Sequence, residues 1–194
     1  MVTDLITGQD GIAAAPERTA SADGLPKAGS AAPARGMLFV HSCPPALRPH
    51  VEWALAEAIG APVRLDWSEQ PIAPGTLRAQ TGWRGRAGTA GRLAARLRDW
   101  PLIRVEITEE PSTGCDGERI AITPDLGAWR SAMSANGDVL VQEDRLRAAM
   151  DAAADVEALH AALERLLGKP WDEELEIYRQ AGAGLPTHWL SAAI

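Results

Sequence analysis

The residues with the most distinctive potential chemistry lie in a basic, glycine-containing segment. Arg84, Arg86, Gly88, Thr89 and Arg92 surround the predicted start of a helix. Backbone N–H groups at a helix N-terminus attract anions, glycine permits close approach, and arginine can hold a phosphate or carboxylate through two hydrogen bonds. The segment therefore predicts an anion-binding turn. Its spacing matches neither a P-loop nor GxGxxG, so an ordinary solvated, arginine-rich helix face is the alternative.

A second candidate for chemistry is Cys43, with His41 and His50 close to it in sequence. Cys43 precedes a predicted helix, whose N-terminus lowers a thiol pKa, and histidine can activate a thiol nucleophile. The spacing indicates no carboxylate to orient either histidine, so a buried or loop thiol beside packing histidines is the alternative that we favour. The spacing also matches no metal site. We predict no catalytic residue, no metal and no cofactor.

Polar and apolar side chains alternate along three further predicted strands. The polar ones are Arg64, Asp66, Arg78, Gln80, Arg104 and Glu106. In a sheet with helices on one face, this alternation puts them on the other, open face. Opposite charges on neighbouring strands are commonly cross-strand pairs contributing about 0.2–1 kcal/mol each, which is the interpretation we favour. The first strand is apolar on both faces, which predicts a cover from the C-terminal region, a second copy or a partner.

The elements that position these residues follow from the periodicity of residues 36–110. The pattern predicts a strand at 37–40, a helix at 49–59, a hairpin of strands at 63–68 and 77–83, a helix at 89–100 and a strand at 103–107. The order β-α-β-β-α-β is that of a ferredoxin-like core, with both helices on one face of an antiparallel sheet. The predicted fold class is α+β.

The regions outside this core are predicted from turn and cap signals. Residues 111–143 form an antiparallel β-meander with a type I′ turn at Asn136-Gly137, and residues 144–194 form a helical extension in which Asp144 and Asp172 cap helices. Residues 36–194 are thus predicted to be a single domain. Residues 1–35 lack a sustained apolar period and predict a disordered tail, unless the chain naturally begins at Met37.

An acidic stretch contains Glu106, Glu109, Glu110, Asp116 and Glu118. Carboxylates of this density can hold Ca²⁺ or Mg²⁺, but the ligand order of an EF-hand is absent. A solvated loop is the prediction for this stretch.

The composition limits the classes of partner and location. A net charge of −7 opposes binding to nucleic acid phosphates, and no run of about 18 apolar residues is present to span a membrane. The N-terminus lacks the basic and apolar regions of an export signal. The two cysteines show no pairing pattern, which is typical of a reducing compartment. We expect a cytoplasmic protein without nucleic acid or membrane partners.

Five strings in the chain are similar to an actinobacterial family of uncharacterised proteins. They are Leu38-Phe39-Val40-His41-Ser42, Pro49-His50-Val51-Glu52-Trp53, Pro74-Gly75-Thr76-Leu77-Arg78, Trp83-Arg84-Gly85-Arg86 and Gly168-Lys169-Pro170-Trp171-Asp172. The resemblance covers nearly everything after Met37. It implies a bacterial cytosolic protein from a domain-of-unknown-function family, and it supplies no catalytic residue.

Three functional hypotheses remain open at the level of sequence. The leading one is a non-enzymatic protein-binding or regulatory module, which binds a protein partner or a second copy of itself. The alternative is a protein that binds a phosphate-bearing metabolite or nucleotide at the turn of residues 84–89. The third is an enzyme of unrecognised type with its centre at His41, Cys43 and the basic turn, because fold alone does not determine function.

Overall fold

A computed structural model of the protein describes residues 32–183. Within this range the chain forms an antiparallel sheet of seven strands and five α-helices, so the predicted α+β class is confirmed. The predicted tail, residues 1–35, lies outside the described residues except for its last four. None of the described helices is long and apolar enough to cross a membrane.

The strands are β1 (Pro33–Cys43), β2 (Ser68–Glu69), β3 (Leu77–Arg86), β4 (Arg104–Glu109), β5 (Gly117–Thr123), β6 (Gly127–Met133) and β7 (Val139–Leu140). The helices are α1 (Arg48–Ile59), α2 (Thr89–Leu97), α3 (Glu143–Ala152), α4 (Val156–Leu167) and α5 (Lys169–Ala183). The sheet order is β2-β3-β1-β4-β5-β6-β7, and every neighbouring pair is antiparallel.

One face of the sheet carries the larger hydrophobic core, beneath α1 and α2. Leu38 and Val40 project from β1 into this core, where they pack among Leu55 of α1 and Leu93 of α2. Each such side chain stabilises the fold by roughly 1.5–3 kcal/mol when fully buried. Since side chains alternate along a strand, Phe39 and His41 project from the opposite face.

On that opposite face, α5 packs over β5 and β6. Trp129 of β6, Trp171 and Leu175 are buried there in a second, smaller cluster. Each indole N–H has a backbone acceptor, since Trp129 donates to the Leu166 carbonyl oxygen at 3.1 Å and Trp171 donates to that of Gly127 at 3.0 Å. The C-terminal region therefore covers part of the sheet face opposite the two helices, for which the sequence predicted a cover.

The predicted strand at 63–68 is wrong over most of its length. Only Ser68–Glu69 forms a strand, and it pairs with Arg78 and Leu77 of β3. The preceding residues are held by a side chain instead. The Glu52 carboxylate of α1 accepts hydrogen bonds from the Leu65 backbone N–H and the Trp67 indole N–H, each at 3.0 Å.

Other element boundaries also differ from the sequence prediction, and Asp144 lies in the first turn of α3 instead of capping it. β1 begins at Pro33 and pairs with β3 from there, so residues 33–35 belong to the sheet. The last helix begins at Lys169 and not at Asp172, because Pro170 fits the first turn of a helix, where its missing N–H has no cost.

Candidate functional site

A cleft of about 820 Å³ opens on the sheet face opposite α1 and α2, beside α5. The polar side chains lining it are His41, Asp66, Ser68, Gln70, Arg78, Gln80, Glu106, Tyr178 and Arg179. Four of the six polar residues predicted on the open face are therefore brought together here. The other two, Arg64 and Arg104, do not line the cleft. Arg104 is held by Glu174, with Nε to Oε1 at 2.7 Å, and by Asp125.

The register of the sheet explains why the floor of the cleft has this composition. Gln80 of β3 is paired with Phe39 of β1, and Phe39 is paired with Glu106 of β4. Side chains in one register row point to the same face of a sheet. The floor therefore presents an amide, an aromatic ring and a carboxylate side by side.

Glu106 is buried at the base of the cleft and contacts three basic side chains. Its carboxylate accepts from Arg119 Nε at 2.7 Å and from Arg179 Nη2 at 3.0 Å, and it lies 3.3 Å from His41 Nε2. Burial alone raises the pKa of Glu106. The His41 hydrogen bond and the charges of Arg179 and Arg119 outweigh burial and hold the pKa well below its usual range. Glu106 is therefore ionised at neutral pH.

The two arginines continue from Glu106 to carboxylates of α5. Arg119 donates to both oxygens of Asp172, and Arg179 donates to Asp172 Oδ1 at 2.9 Å and to Glu176 Oε2 at 3.1 Å. Burial lowers the pKa of Arg119, but its hydrogen bond with Asp172 and the Glu106 charge leave it above its ordinary value. Every guanidinium nitrogen of both arginines donates to a protein carboxylate. This network fixes α5 to the sheet.

His41 forms part of the cleft wall in a fixed orientation. Its Nε2 lies against Glu106, its carbonyl oxygen accepts from Gln70 Nε2 at 2.7 Å, and its ring lies parallel to that of Phe39. Cys43, two residues later, lies in the core beneath the helices. Burial raises the pKa of the Cys43 thiol to about 11. The structure therefore separates the two members of the sequence-predicted thiol and histidine pair.

At the predicted anion-binding turn, the N-terminus of α2 already holds a carboxylate from the chain itself. The backbone N–H of Gly88 donates to Glu109 Oε1 at 2.7 Å and that of Ala90 donates to Oε2 at 2.9 Å. Gly88 has a φ of 81°, which favours glycine. An external anion would have to displace the Glu109 carboxylate from these donors.

Of the remaining residues predicted for the turn, Thr89 and Arg92 form hydrogen bonds within it, whereas Arg84 and Arg86 are exposed. Arg92 Nη2 donates to Thr89 Oγ1 at 2.6 Å, and Thr89 Oγ1 donates to the Arg86 carbonyl oxygen at 2.6 Å. Thr89 is fully buried, whereas Arg84 and Arg86 are exposed at alternate positions of β3. The turn brings Gly88, Thr89 and Arg92 together as a folded unit. Anion binding there stays a prediction.

Sequence reasoning missed several residues that build the cleft. Arg119 lies on the side of β5 opposite to Ile120 and Ile122, which is a signal for its facing the open side. Gln70, Tyr178 and Arg179 carry no such signal, because they reach the cleft from a loop and from α5. The predicted solvated loop is wrong for Glu106 and Glu109, because both are buried residues of β4.

A second surface of note lies on α3 and α4. Neither helix has a fully buried residue. Met150 is 64% exposed, Val156 is 83% exposed and Leu167 is 52% exposed. Large apolar side chains are thus exposed along this pair of helices.

The sequence model of the family DUF3145, a protein family of unknown function, matches residues 37–192. This range covers most of the chain and begins at the Met37 from which the family resemblance was predicted. No curated protein and no solved structure matches the chain.

Proposed function

The chain belongs to the DUF3145 family, and we propose that it is a non-enzymatic regulatory module that binds a small polar metabolite in the cleft beside α5. The observation that carries the proposal is the cleft itself. It has a volume of about 820 Å³, within the range of ligand sites, and several polar groups converge in it on a sheet floor.

The groups in the cleft are arranged before any ligand arrives. The Glu106 network fixes one wall, and the His41 ring is held against Glu106 and Phe39. Side chains that are already ordered lose little conformational entropy on binding, which favours affinity. The exposed side chains of Asp66 and Gln80 make no hydrogen bond or ion pair with another residue of the range 32–183, so their polar atoms are available to a ligand.

The cleft is a better ligand site than the turn of residues 84–89. Glu109 occupies the N–H groups that the turn would offer to an anion. The non-enzymatic part is supported by the high pKa and core position of Cys43, which leave His41 without a thiol nucleophile in the cleft.

A thermal-shift screen against polar metabolites tests the proposed site. A ligand at 100 times its dissociation constant stabilises the folded state by about 2.7 kcal/mol, which raises the melting temperature by several degrees. The double variant Asp66→Asn/Gln80→Ala should lose the shift. Arg64→Ala, an exposed change outside the cleft, and Arg84→Glu, at the predicted turn, should keep it.

Three results would contradict the cleft as the site. They are a shift that survives the double variant, a shift that is lost in Arg84→Glu, and a flat profile across the whole panel. The second result would move the ligand to the turn, as the sequence alone predicts.

A second candidate function is the binding of a protein partner, which we propose to be another copy of this chain. The exposed apolar side chains of α3 and α4, among them Met150 and Val156, support it. Light scattering after size exclusion should give a dimer that dissociates in Met150→Glu/Val156→Glu. A wild-type monomer at concentrations of about 100 µM would contradict it, since stable interfaces of standard size bind more tightly.

The proposal also covers the fold of the core, the origin of the protein and its location. The strand order β2-β3-β1-β4, with α1 and α2 in the connections, supports a ferredoxin-like arrangement of residues 36–110 within one domain of residues 36–194. The residue strings shared with an actinobacterial family support a bacterial origin. Free thiols at Cys43 and Cys115 support a cytoplasmic location.

A further inference from the structure

We propose that the outer edge of β3, between Gly82 and Arg86, binds an extended acidic segment of a partner protein as an additional antiparallel strand of the sheet. Residues 82–86 do not line the cleft, so this surface is separate from the proposed metabolite site. The inference is carried by the pairing of β3, by the direction of its backbone groups and by the charge of its side chains.

Most of β3 is paired along only one of its two edges. On one side, β3 pairs with β1 from Leu77 to Arg86. On the other side, β2 pairs only with Leu77 and Arg78. Within residues 32–183, no strand and no backbone–backbone hydrogen bond reaches the outer edge of β3 beyond Arg78. The last part of the strand therefore presents an open sheet edge, which is the surface that an added strand needs.

A hydrogen bond at each end of β3 shows which backbone groups point outwards. Just after the strand, the Ala87 N–H donates to the Ala32 carbonyl oxygen at 2.8 Å, on the β1 side. Just before it, the Thr76 carbonyl oxygen accepts from the Gln70 N–H at 3.0 Å, on the β2 side. Because backbone groups alternate between the two edges of a strand, the even-numbered residues of β3 direct their N–H and C=O groups away from β1.

Three residues of the open edge have this outward direction. They are Gly82, Arg84 and Arg86, and all three are exposed. The Gly82 and Arg86 carbonyl oxygens accept from the hydroxyl groups of Thr81 and Thr89. Three N–H donors and the Arg84 carbonyl oxygen therefore remain without a partner in the described part of the chain. They recur every second residue, about 6.5 Å apart, which is the pattern that an antiparallel strand satisfies.

The side chains of this edge favour an acidic partner. Arg84 and Arg86 lie on the same face of the sheet, since side chains alternate along a strand. Neither makes an ion pair with a carboxylate of residues 32–183, and Glu110, at the end of the same register row as Arg84, is paired with Arg35. A partner strand with carboxylates two residues apart would place one opposite each arginine, where opposite charges attract.

The same charges oppose pairing of this edge with a second copy of the chain. A symmetric antiparallel pair of β3 edges keeps the open faces of both copies on one side. Arg84 and Arg86 of each copy would then bring four guanidinium groups to neighbouring positions, and like charges on adjoining strands are destabilising. Charged side chains on sheet edges commonly prevent such self-association. The two arginines thus exclude a second copy and attract an acidic segment.

The test measures fluorescence polarisation of the hexapeptide Thr-Glu-Val-Glu-Val-Thr with the full chain. In an antiparallel pair, both glutamates lie opposite the arginines with their N–H groups towards β3, and the valine between them turns its N–H away. N-methylation of both glutamates should therefore weaken binding about tenfold or more, whereas N-methylation of that valine should leave the affinity within about threefold. Replacement of both glutamates by lysine should abolish binding.

Charge reversal in the protein is the complementary experiment. Arg84→Glu/Arg86→Glu should weaken the acidic peptide about tenfold or more and should restore binding of the lysine peptide. The matched control is Arg98→Glu/Arg147→Glu, which makes the same change of charge at two exposed arginines, after α2 and in α3. It should leave the affinity for the acidic peptide within about twofold.

Amide hydrogen exchange, followed by NMR, reads the edge directly. In the free protein, the amide hydrogens of Gly82 and Arg84 should exchange faster than those of Trp83 and Gly85, which point to β1. The acidic peptide should slow the exchange at Gly82, Arg84 and Arg86 about tenfold or more.

Four results would overturn the inference. They are the absence of saturable binding up to about 1 mM peptide, equal affinities of the parent and glutamate-methylated peptides, unchanged exchange at the edge amides when the peptide is bound, and a wild-type dimer in which the amides of Gly82 and Arg84 are already protected. The last result would assign the edge to a second copy. The methylated peptides leave the protein unchanged, so they decide the matter should the charge-reversed variant fail to fold, as judged by circular dichroism.

Discussion

Glu106 and Glu109 lie three residues apart on β4, and the alternation of the strand sends them to opposite faces of the sheet. Both are buried, with 8% and 5% of their surface exposed. Glu109 accepts from two backbone N–H groups at the start of α2. Glu106 instead contacts side chains from β1, β5 and α5.

The same residue type thus blocks a possible binding site on one face of the sheet and helps to form one on the other. Backbone donors are part of the turn itself, so Glu109 fills the space in front of α2. The side chains of Arg119, from β5, and Arg179, from α5, both reach Glu106. They hold α5 beside the sheet, with a cleft next to it. A buried carboxylate with backbone partners thus occupies the start of a helix, whereas one with side-chain partners holds a helix beside an open cleft.

The largest expected effect comes from removing the charge that joins α5 to the sheet. Glu106→Gln leaves Arg119 and Arg179 partly unpaired in a buried place, and breaking such a pair costs about 3–5 kcal/mol. Urea denaturation should show this loss in the free energy of unfolding. Glu110→Gln, at an exposed ion pair with Arg35, is the control and should stay within about 0.5 kcal/mol of wild type.

A loss below about 1 kcal/mol in Glu106→Gln would contradict the view that this network fixes α5.

The next effect is the response to acid. The folded pKa of Glu106 is lowered, so its stabilisation is present above the unfolded pKa, about 4.3, and is lost as pH falls towards the folded pKa. Between pH 6 and pH 3, wild type should lose more stability than Glu106→Gln by more than about 1.4 kcal/mol, the free energy of one pKa unit. Parallel curves for the two proteins would show that Glu106 does not titrate with a lowered pKa.

A smaller effect is expected on the other face. Glu109→Gln keeps one oxygen acceptor for the α2 backbone but loses the charge, so it should lower the free energy of unfolding by about 1–2 kcal/mol.

Removing the Glu109 carboxylate altogether should also free the backbone N–H groups at the start of α2. Inorganic phosphate at 20 mM should therefore raise the melting temperature of Glu109→Ala more than that of wild type, and an added Arg86→Ala should reduce the gain. Equal shifts in all three proteins would argue against an anion site at this turn.

The smallest effect concerns the rim of the cleft. Asp66 is exposed, so Asp66→Asn should change the free energy of unfolding of the ligand-free protein by less than about 0.5 kcal/mol. Chemical denaturation of the variant measures this directly. A larger loss would mean that Asp66 supports the fold, and its use as a probe of ligand binding would then be invalid.

Much of the cleft floor could be predicted from sequence because it depends on a local rule. Asp66, Arg78, Gln80 and Glu106 were placed on one face by the alternation of polar and apolar residues, and the cleft contains all four. Even where the predicted strand at 63–68 fails, burial alternates, with Leu65 buried and Asp66 exposed, so Asp66 stays on the predicted side.

What could not be predicted depends on contacts between distant parts of the chain. Arg179 meets Glu106 across 73 residues, and Arg119 meets Asp172 across 53. No local period encodes such a contact. The burial of Glu109 was missed for a similar reason, because its partners are backbone groups about twenty residues earlier. Tertiary partners decide whether a glutamate is buried or solvated.

The long sequence separation of the contacts between α5 and the sheet has a consequence for the order of folding. Closing a long loop costs entropy before its contacts form, so we expect β1, β3, β4 and their two helices to assemble first and α5 to dock last. Unfolding should reverse this order, and amide hydrogens of α5 should exchange faster than those of β1. The nascent protein would thus acquire its cleft in the final step of folding, after most of the sheet has formed.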